Sequence, residues 1–556
     1  YKRQGWDYTH HAHRLTRPLI RRSDRYPKGP LSAEVRDEHH HRPRKPGGLV
    51  DYDEIMPAFR EASWDEALDL VAERLGAIRA RHGSDALAGF GSAKCSNEEA
   101  YVFQKLIRAG LGTNNVDHCT RLCHASSVAA LLEGIGSGAV TTTYGDAANA
   151  EAILIAGSNT TANHPVAATF FKQARKAGAR LIVVDPRRGS MAAQADWYCR
   201  IKPGTDVAFY NAMMHCIIEE GLVDRAFVEA RTEGFAGLEE VVSGYPPERA
   251  ARICGVDAGT IRAVARAFGG ARSAIIYWGM GISQHVYGTN NARCLIALAL
   301  LTGNVGRPGS GLHPLRGQNN VQGASDAGLI PMMYPDYQRV DDPGTREKFE
   351  RAWGRALSKD PGMTVVEITR AALEGGIRGM YVMGENPFLS DPDVNKVRKA
   401  LSNLDFLAVQ DIFLTETAEF ADVILPATSY LEKLGTYTNT DRRVQIGRPA
   451  LDPPGEARLD WKIVCDVSGR LGYPMEYESV EAIFDEMAAL THAYRSLRYD
   501  HLGLTGRLWP NPDPLHDDGP VVLFGDRFPT DNGRARFVPA EWMAARELPC
   551  ADYPLV

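Results

Sequence analysis

Short apolar runs that stop abruptly in polar or glycine-rich loops are what most constrain this chain. Ala152-Ile153-Leu154-Ile155-Ala156 runs into Gly157-Ser158-Asn159-Thr160, and Leu181-Ile182-Val183-Val184 runs into Asp185-Pro186-Arg187-Arg188. A helical pattern over about residues 165–177 lies between them. Residues 274–278 end in Gly279-Met280-Gly281-Ile282-Ser283-Gln284, and a helical pattern follows over 289–301. A second series comprises Gly379-Met380-Tyr381-Val382-Met383 before Gly384-Glu385-Asn386-Pro387, then Leu407-Ala408-Val409-Gln410-Asp411, then Ala421-Asp422-Val423-Ile424-Leu425-Pro426. Apolar runs this short, alternating with amphipathic helices, predict an α/β fold with parallel sheets covered by helices on both faces. Ligands of such sheets sit at the carboxyl ends of the strands, where these loops fall. Two series of this kind predict two bound nucleotide-like groups. No G-x-G-x-x-G follows either first strand, which disfavours an ordinary NAD-binding Rossmann site.

Elsewhere the pattern is coarser. Ser63 and Glu66 predict a capped helix start continuing towards Ile78, and residues 97–111 predict a helix that ends at Gly112. Residues 435–445 read as turn and strand, 459–463 open a helix, and the region after Tyr499 is loop-rich. The first 60 residues are rich in Arg, His and Pro, and His39-His40-His41 reads as an exposed loop rather than a metal site. At 556 residues several domains are expected. A net charge of −6 from 63 basic and 69 acidic residues gives no basic field for nucleic acid. The apolar runs are too short to span a bilayer. Nine cysteines with no C-x-x-C pair indicate neither a zinc ribbon nor a disulfide framework, and a reducing, cytoplasmic setting is the simpler expectation. The ends, Tyr1 and Tyr553-Pro554-Leu555-Val556, read as those of a fragment.

Two stretches carry the chemistry. In Asp117-His118-Cys119-Thr120-Arg121-Leu122-Cys123-His124-Ala125-Ser126-Ser127 a cysteine precedes a histidine, with Arg121 two residues ahead and an apolar helical run behind. A thiolate is a soft metal ligand and a nucleophile, a neighbouring cation favours it, and an imidazole can pass a proton beside it. A buried structural cysteine is the bland alternative. Pro314-Leu315-Arg316-Gly317-Gln318-Asn319-Asn320-Val321-Gln322-Gly323 spends three amides in succession beside one arginine, a composition suited to lining a polar ligand.

With Thr113-Asn114-Asn115-Val116 ahead of the cysteine motif, Trp278-Gly279-Met280-Gly281, Leu301-Thr302-Gly303-Asn304, the Arg316 run, Met383-Gly384-Glu385-Asn386-Pro387, Gln410-Asp411-Ile412-Phe413 and the 421–426 run, the chain resembles the catalytic subunit of molybdenum- or tungsten-dependent formate dehydrogenases. These belong to the bis-molybdopterin guanine dinucleotide, or DMSO reductase, superfamily, and cysteine rather than selenocysteine at 123 is most similar to its soluble NAD-linked branch. The resemblance implies two doubly wound dinucleotide-binding-like domains with an irregular third region. In this numbering they would be 57–118 with 319–430, 119–318, and an irregular 1–56 with 431–540, while 541–556 would begin a further β-barrel domain. It implies oxidation of formate to CO2, with Cys123 as the protein ligand to Mo or W, His124 handling the proton and Arg316 orienting the carboxylate. Cofactor contacts would come from Lys94, Gly157, Asn159, Asp185, Arg187, Gly204 and Asp206, and on the other arm from Met280, Gln284, Gln318, Gly384, Glu385, Asn386, Gln410, Asp411 and Asp460. A [4Fe–4S] segment would lie upstream of Gly5-Trp6-Asp7, its neighbouring lysine would fall near Tyr1 or Lys2, and Fe–S and flavin/NAD-binding diaphorase subunits would be the partners.

Three other readings remain open at this level. One is a relative acting on nitrate or another oxoanion, one a scaffold subunit that has lost its metal, and one a nucleotide-binding module without redox chemistry. The joint presence of Cys123, His124 and Arg316 argues against each.

Overall fold

The computed structural model describes residues 4–24, 26, 28, 52–515, 518–545 and 548–554. Both His39-His40-His41 and the position expected for the cluster-side lysine lie outside them. The chain divides into two compact units: residues 1–121 with 318–439 and 443–519, and residues 122–317 with 440–442 and 520–556.

The second unit is built on a five-stranded parallel sheet in the order Gly311–Pro314, Ala274–Trp278, Ala152–Ala156, Arg180–Val184, Trp197–Cys199. Its strands explain their own sequences. Successive side chains of a strand point to opposite faces. Leu154, Ile182 and Ile276 enter one apolar cluster with Phe209, Met213, Ile261 and Leu298. Ile153, Ile155, Leu181, Val183, Ile275 and Tyr277 enter another with Ala168 and Phe171. Both faces are covered, so no polar alternation survives. Each fully buried branched side chain there contributes roughly 1.5–3 kcal/mol relative to exposure.

The first unit carries a seven-stranded sheet in the order Phe59–Glu61, Leu19–Arg21, Val423–Pro426, Phe406–Asp411, Gly379–Met383, Leu87–Gly91, Val116–His118. Five strands are parallel, and Leu19–Arg21 and Phe59–Glu61 add an antiparallel edge that the sequence pattern had not suggested. Three-residue strands are too short to show a period. Helix Trp64–His82 starts where expected, with the Ser63 side chain accepting from the Glu66 N–H, and buries Leu68, Val71 and Leu75. The helix expected over 97–111 is α-helical only over Asn97–Lys105. It continues as a π-helix over Leu106–Leu111 and ends at Gly112, where φ is 85°. A hairpin of Gly435–Thr438 and Arg443–Gly447 extends to Arg507–Leu508. Among the described residues of 541–554 there is no strand.

Candidate active site

In the second unit the chain leaves the central strand Ala152–Ala156 towards Trp197–Cys199 on one side, then returns to build Ala274–Trp278 and Gly311–Pro314 on the other. That reversal lies beyond the carboxyl ends of Ala152–Ala156 and Ala274–Trp278, where a ligand crevice usually forms in such sheets. The two loops there meet backbone to backbone. Gly157 has φ 53°, and a Cβ on it would lie 2.7 Å from the Gly281 carbonyl carbon. A Cβ on Gly281 would lie 2.7 Å from Gly157 Cα. Bare backbone of this kind lets a ligand approach closely.

Cys123 closes the helical turn Thr120–Cys123, and helix Ala125–Ile135 follows with His124 at its N-cap. The Cys123 Sγ lies 3.2 Å from Met280 Sδ, in the loop after Ala274–Trp278. Its electrostatics differ from the sequence expectation. Arg121 is engaged with Asp117 at 2.8 Å. Burial pushes the thiol up to about 11, and the cation that pulls it back is Arg316. The cofactor-free chain therefore holds a protonated thiol at neutral pH, and a bound metal cation would be what ionises it.

His124 is fully buried, and burial, reinforced by Arg316, pushes its pKa down to about 3. Its Nε2 is 3.0 Å from the Leu315 carbonyl and its Nδ1 is 3.3 Å from Ser283 Oγ. Arg316 is 4% exposed. Its Nη2 donates to the Gly138 carbonyl at 2.6 Å, and its own carbonyl accepts from His164 Nε2 at 2.8 Å. Its Nε and Nη1 are buried with no hydrogen-bond partner among the described residues. Leaving a buried donor unsatisfied costs about 1–3 kcal/mol, and more when it is charged. Such a deficit in a buried guanidinium calls for an explanation, and an anionic ligand is one group that would satisfy it.

The other predicted residues of this unit fall on the same edge of the sheet. Asn159 and Arg187 are exposed, and Asp185 accepts from the Arg187 N–H at 2.8 Å. Gly204 has φ 75°. Asp206 opens helix Asp206–Glu219, where burial, with Asp185 nearby, pushes its pKa up to about 7. The Gln284 side chain donates to the Leu122 carbonyl at 2.7 Å. Sequence reasoning missed His164 and also His313, which stacks with Tyr144 at 4.5 Å and whose pKa is lowered by burial and, less strongly, by Arg316. A histidine inside the apolar run of 311–315 was the available signal.

The first unit repeats the scheme. Its strand order reverses between Leu87–Gly91 and Gly379–Met383. At Gly384, where φ is 66°, a Cβ would lie 3.3 Å from Ser92 Cβ. Lys94 is exposed in that loop. Burial pushes Glu385 up to about 7 and Asp411 up to about 6. Three predicted residues have polar atoms committed within the protein. Gln410 donates to Asp460 at 2.8 Å and accepts from Tyr381 at 2.6 Å, while Asp460 also takes Lys433 at 2.8 Å. Asn386 donates to Glu416 at 2.7 Å and accepts from the Thr417 hydroxyl at 2.8 Å. Gln318 is half-buried. In the amide run Asn320 ties the Cys95 carbonyl, at 2.8 Å, to the Thr438 N–H, at 2.7 Å, and serves the fold. Among the described residues no group of three or more His, Cys, Asp or Glu side chains is arranged to hold a metal.

Comparison with known proteins agrees with this architecture. Residues 14–470 match the family described as molybdopterin oxidoreductase. The F420-dependent formate dehydrogenase subunit alpha of Methanocaldococcus jannaschii is 46% identical over 500 residues, which are 90% of this chain and 73% of that one. Formate dehydrogenase H of Escherichia coli is 43% identical over 498 residues, 89% of this chain and 70% of that one. Among solved structures, acetylene hydratase from Pelobacter acetylenicus superimposes with a TM-score of 0.72 at 21% identity, covering 95% of this chain and 70% of that one. That likeness bears on the fold, which is the mixed α/β architecture expected from the strand–loop pattern. One parallel and one mostly parallel sheet with glycine loops at their reversals, a family match over most of the length and relatives above 40% identity lead to one conclusion: this chain belongs to the molybdopterin oxidoreductase family.

Proposed function

We propose that this oxidoreductase converts formate to CO2, reversibly, at a Mo or W centre held by two pyranopterin guanine dinucleotides. The observation that carries this reading is Arg316, buried with N–H groups on two nitrogens unpartnered and close enough to Cys123 and His124 to shift both. A guanidinium matches a carboxylate in shape and charge, which an ammonium does not. The relatives named formate dehydrogenase support the substrate.

The residues present fit the cofactor. Gly157 and Gly281 let the two loops meet backbone to backbone, and Asp206, buried, and Glu385, half-buried, are acids whose pKa is pushed up to about 7, suited to N–H groups of a pterin or guanine. One arm would rest on Lys94, Gly157, Asn159, Asp185, Arg187, Gly204 and Asp206, the other on Met280, Gln284, Gln318, Gly384, Glu385 and Asp411. Cys123 would be the one protein ligand of the metal, a soft sulfur matched to a soft centre. When bound, the metal–dithiolene group would take up the two electrons of HCOO− → CO2 + H+ + 2 e−, the C–H hydrogen being released as the proton. The chain's part is to present Cys123 to the metal, bind the carboxylate on Arg316 and keep water out with the buried wall around His124 and His313.

In the finer reading, electrons pass through Fe–S clusters to NAD+ or another acceptor, with Fe–S and flavin-binding diaphorase subunits as partners in the cytoplasm. Among the described residues no helix is long and apolar enough to cross a membrane. The test is formate-dependent reduction of a viologen dye by the metal-loaded full-length protein, with metal content measured on the same sample and NAD+ and F420 then compared as acceptors. Reduction lost in a Cys123 variant supports the reading. No reduction with metal and pterin bound moves the substrate to another oxoanion, and no metal after expression with the cofactor machinery favours a scaffold.

A further inference from the structure

We propose that Trp278, Ser127 and Ser283 are positioning residues that hold His124 in one neutral tautomer, Nε2–H, so that beside Cys123 it presents a fixed ring rather than a base. The clause about Cys123 rests on the active-site reading above; the tautomer does not.

Four contacts form one chain. Trp278 Nε1 lies 2.8 Å from Ser127 Oγ, Ser127 Oγ lies 2.6 Å from Ser283 Oγ, and Ser283 Oγ lies 3.3 Å from His124 Nδ1. At the other end His124 Nε2 lies 3.0 Å from the Leu315 carbonyl. Trp278, Ser127 and His124 are fully buried and Ser283 is 5% exposed, so water does not compete.

The direction of every hydrogen follows from the two ends. An indole nitrogen only donates, and a carbonyl oxygen only accepts. The Leu315 carbonyl therefore requires a proton on Nε2. The Trp278 N–H requires Ser127 to accept, which sends the Ser127 hydrogen to Ser283 and the Ser283 hydrogen to Nδ1. Each member then uses its one hydrogen once. The reverse arrangement fails: a proton on Nδ1 would turn Ser283 towards Ser127, which would then face two donors, and its own hydrogen would have no acceptor in the chain. Loss of a buried hydrogen bond opposes that state.

Orientation of an active-site histidine through its second nitrogen is a general device. Here it runs through two hydroxyls to an indole, and both imidazole nitrogens are occupied within the protein. The proton-handling role that resemblance alone assigns to His124 is therefore replaced by one of shape and orientation.

The test is the solid-state 15N spectrum of the oxidised, metal-loaded full-length enzyme carrying ring-13C,15N histidine, with His124 isolated as the difference from His124→Gln. The expected result is one protonated Nε2 and one bare Nδ1. A proton on Nδ1, or an imidazolium at pH 7, would overturn the proposal. Ser283→Ala and Trp278→Phe, the latter keeping the ring bulk, should each show a mixture of tautomers, with metal content at the wild-type level and kcat lowered about tenfold while KM stays within about twofold. A single Nε2–H tautomer persisting in both variants, or an unchanged kcat despite mixed tautomers, would sink the positioning role. If neither variant folds, the wild-type spectrum alone decides. Should formate reduce no dye while the spectrum shows Nε2–H, the substrate reading fails and the tautomer assignment stands.

Discussion

Cys123 Sγ and Met280 Sδ stand 3.2 Å apart, joining the turn that carries the candidate metal ligand to the loop at the sheet's reversal. One sulfur comes from residue 123 and the other from a loop more than 150 positions later, and the fold brings them into contact across the head of the same crevice. Cys123→Ser keeps the size of this contact and replaces a soft donor with a hard one. Turnover in the viologen assay should fall by about 100-fold or more with pterin content preserved. Full activity in that variant would remove Cys123 from the metal.

Among the described residues, Arg316→Ala deletes the cation that offsets burial at Cys123 and removes the N–H groups without a partner. The KM for formate should rise by about 30–150-fold, the worth of charge-assisted hydrogen bonds of about 2–3 kcal/mol, while metal content stays near wild type. An unchanged KM would take Arg316 out of the substrate pocket. Arg316→Lys should recover charge without the fork, and so only part of the affinity.

Gly157→Ala tests the crevice itself. The positive φ of 53° and the approach of 2.7 Å to Gly281 leave no room for a methyl group. The expected cost is about 1–3 kcal/mol from backbone strain, with loss of bound pterin read by its fluorescence after release. Wild-type pterin content in a normally folded variant would show that the loop's close approach is not needed for cofactor binding.

Asp206 predicts a stability profile. Its folded-state pKa, raised from 3.8 to about 7, means that the folded protein keeps a proton the unfolded chain has lost. No penalty exists below about pH 3.8; it grows as pH rises towards 7 and is constant above. Asp206→Asn should therefore raise the Tm of the cofactor-free protein at pH 8 by roughly 5 °C and change it little at pH 4. Equal shifts at both values would refute the buried-carboxyl account.

Much of the fold was legible because its strands are buried on both faces, so five apolar residues in a row announce a strand wherever a glycine or acidic loop follows. Ala152–Ala156 is read in that way with its boundaries intact, and the strand Gly379–Met383 starts where the run from Gly379 begins. Leu19–Arg21 and Phe59–Glu61 were not legible, since pairing against Val423–Pro426 and against each other makes them strands, and no local pattern records it. At the site, proximity in sequence misled: Arg121 stands two residues from Cys123 yet serves Asp117, whereas Arg316, nearly two hundred residues away, sets the charge around the thiol. Gln410 and Asp460 have the residue types of ligand contacts, and their partners Tyr381 and Lys433 belong to other elements. The Trp278–Ser127–Ser283–His124 chain was invisible for the same reason: small hydroxyls carry no periodicity.

The unsatisfied guanidinium of Arg316 also bears on how such a chain changes over generations. A buried cation with idle donors is a standing handicap that selection keeps only while an anion visits the site. Once that visitor is lost, replacement of Arg316 by an apolar residue of similar length removes the handicap at the cost of one hydrogen bond, the one to the Gly138 carbonyl. The arginine is therefore a perishable trait. A descendant that has drifted to other chemistry should have shed it early, while the apolar strands beneath, which answer only to packing, would persist long after.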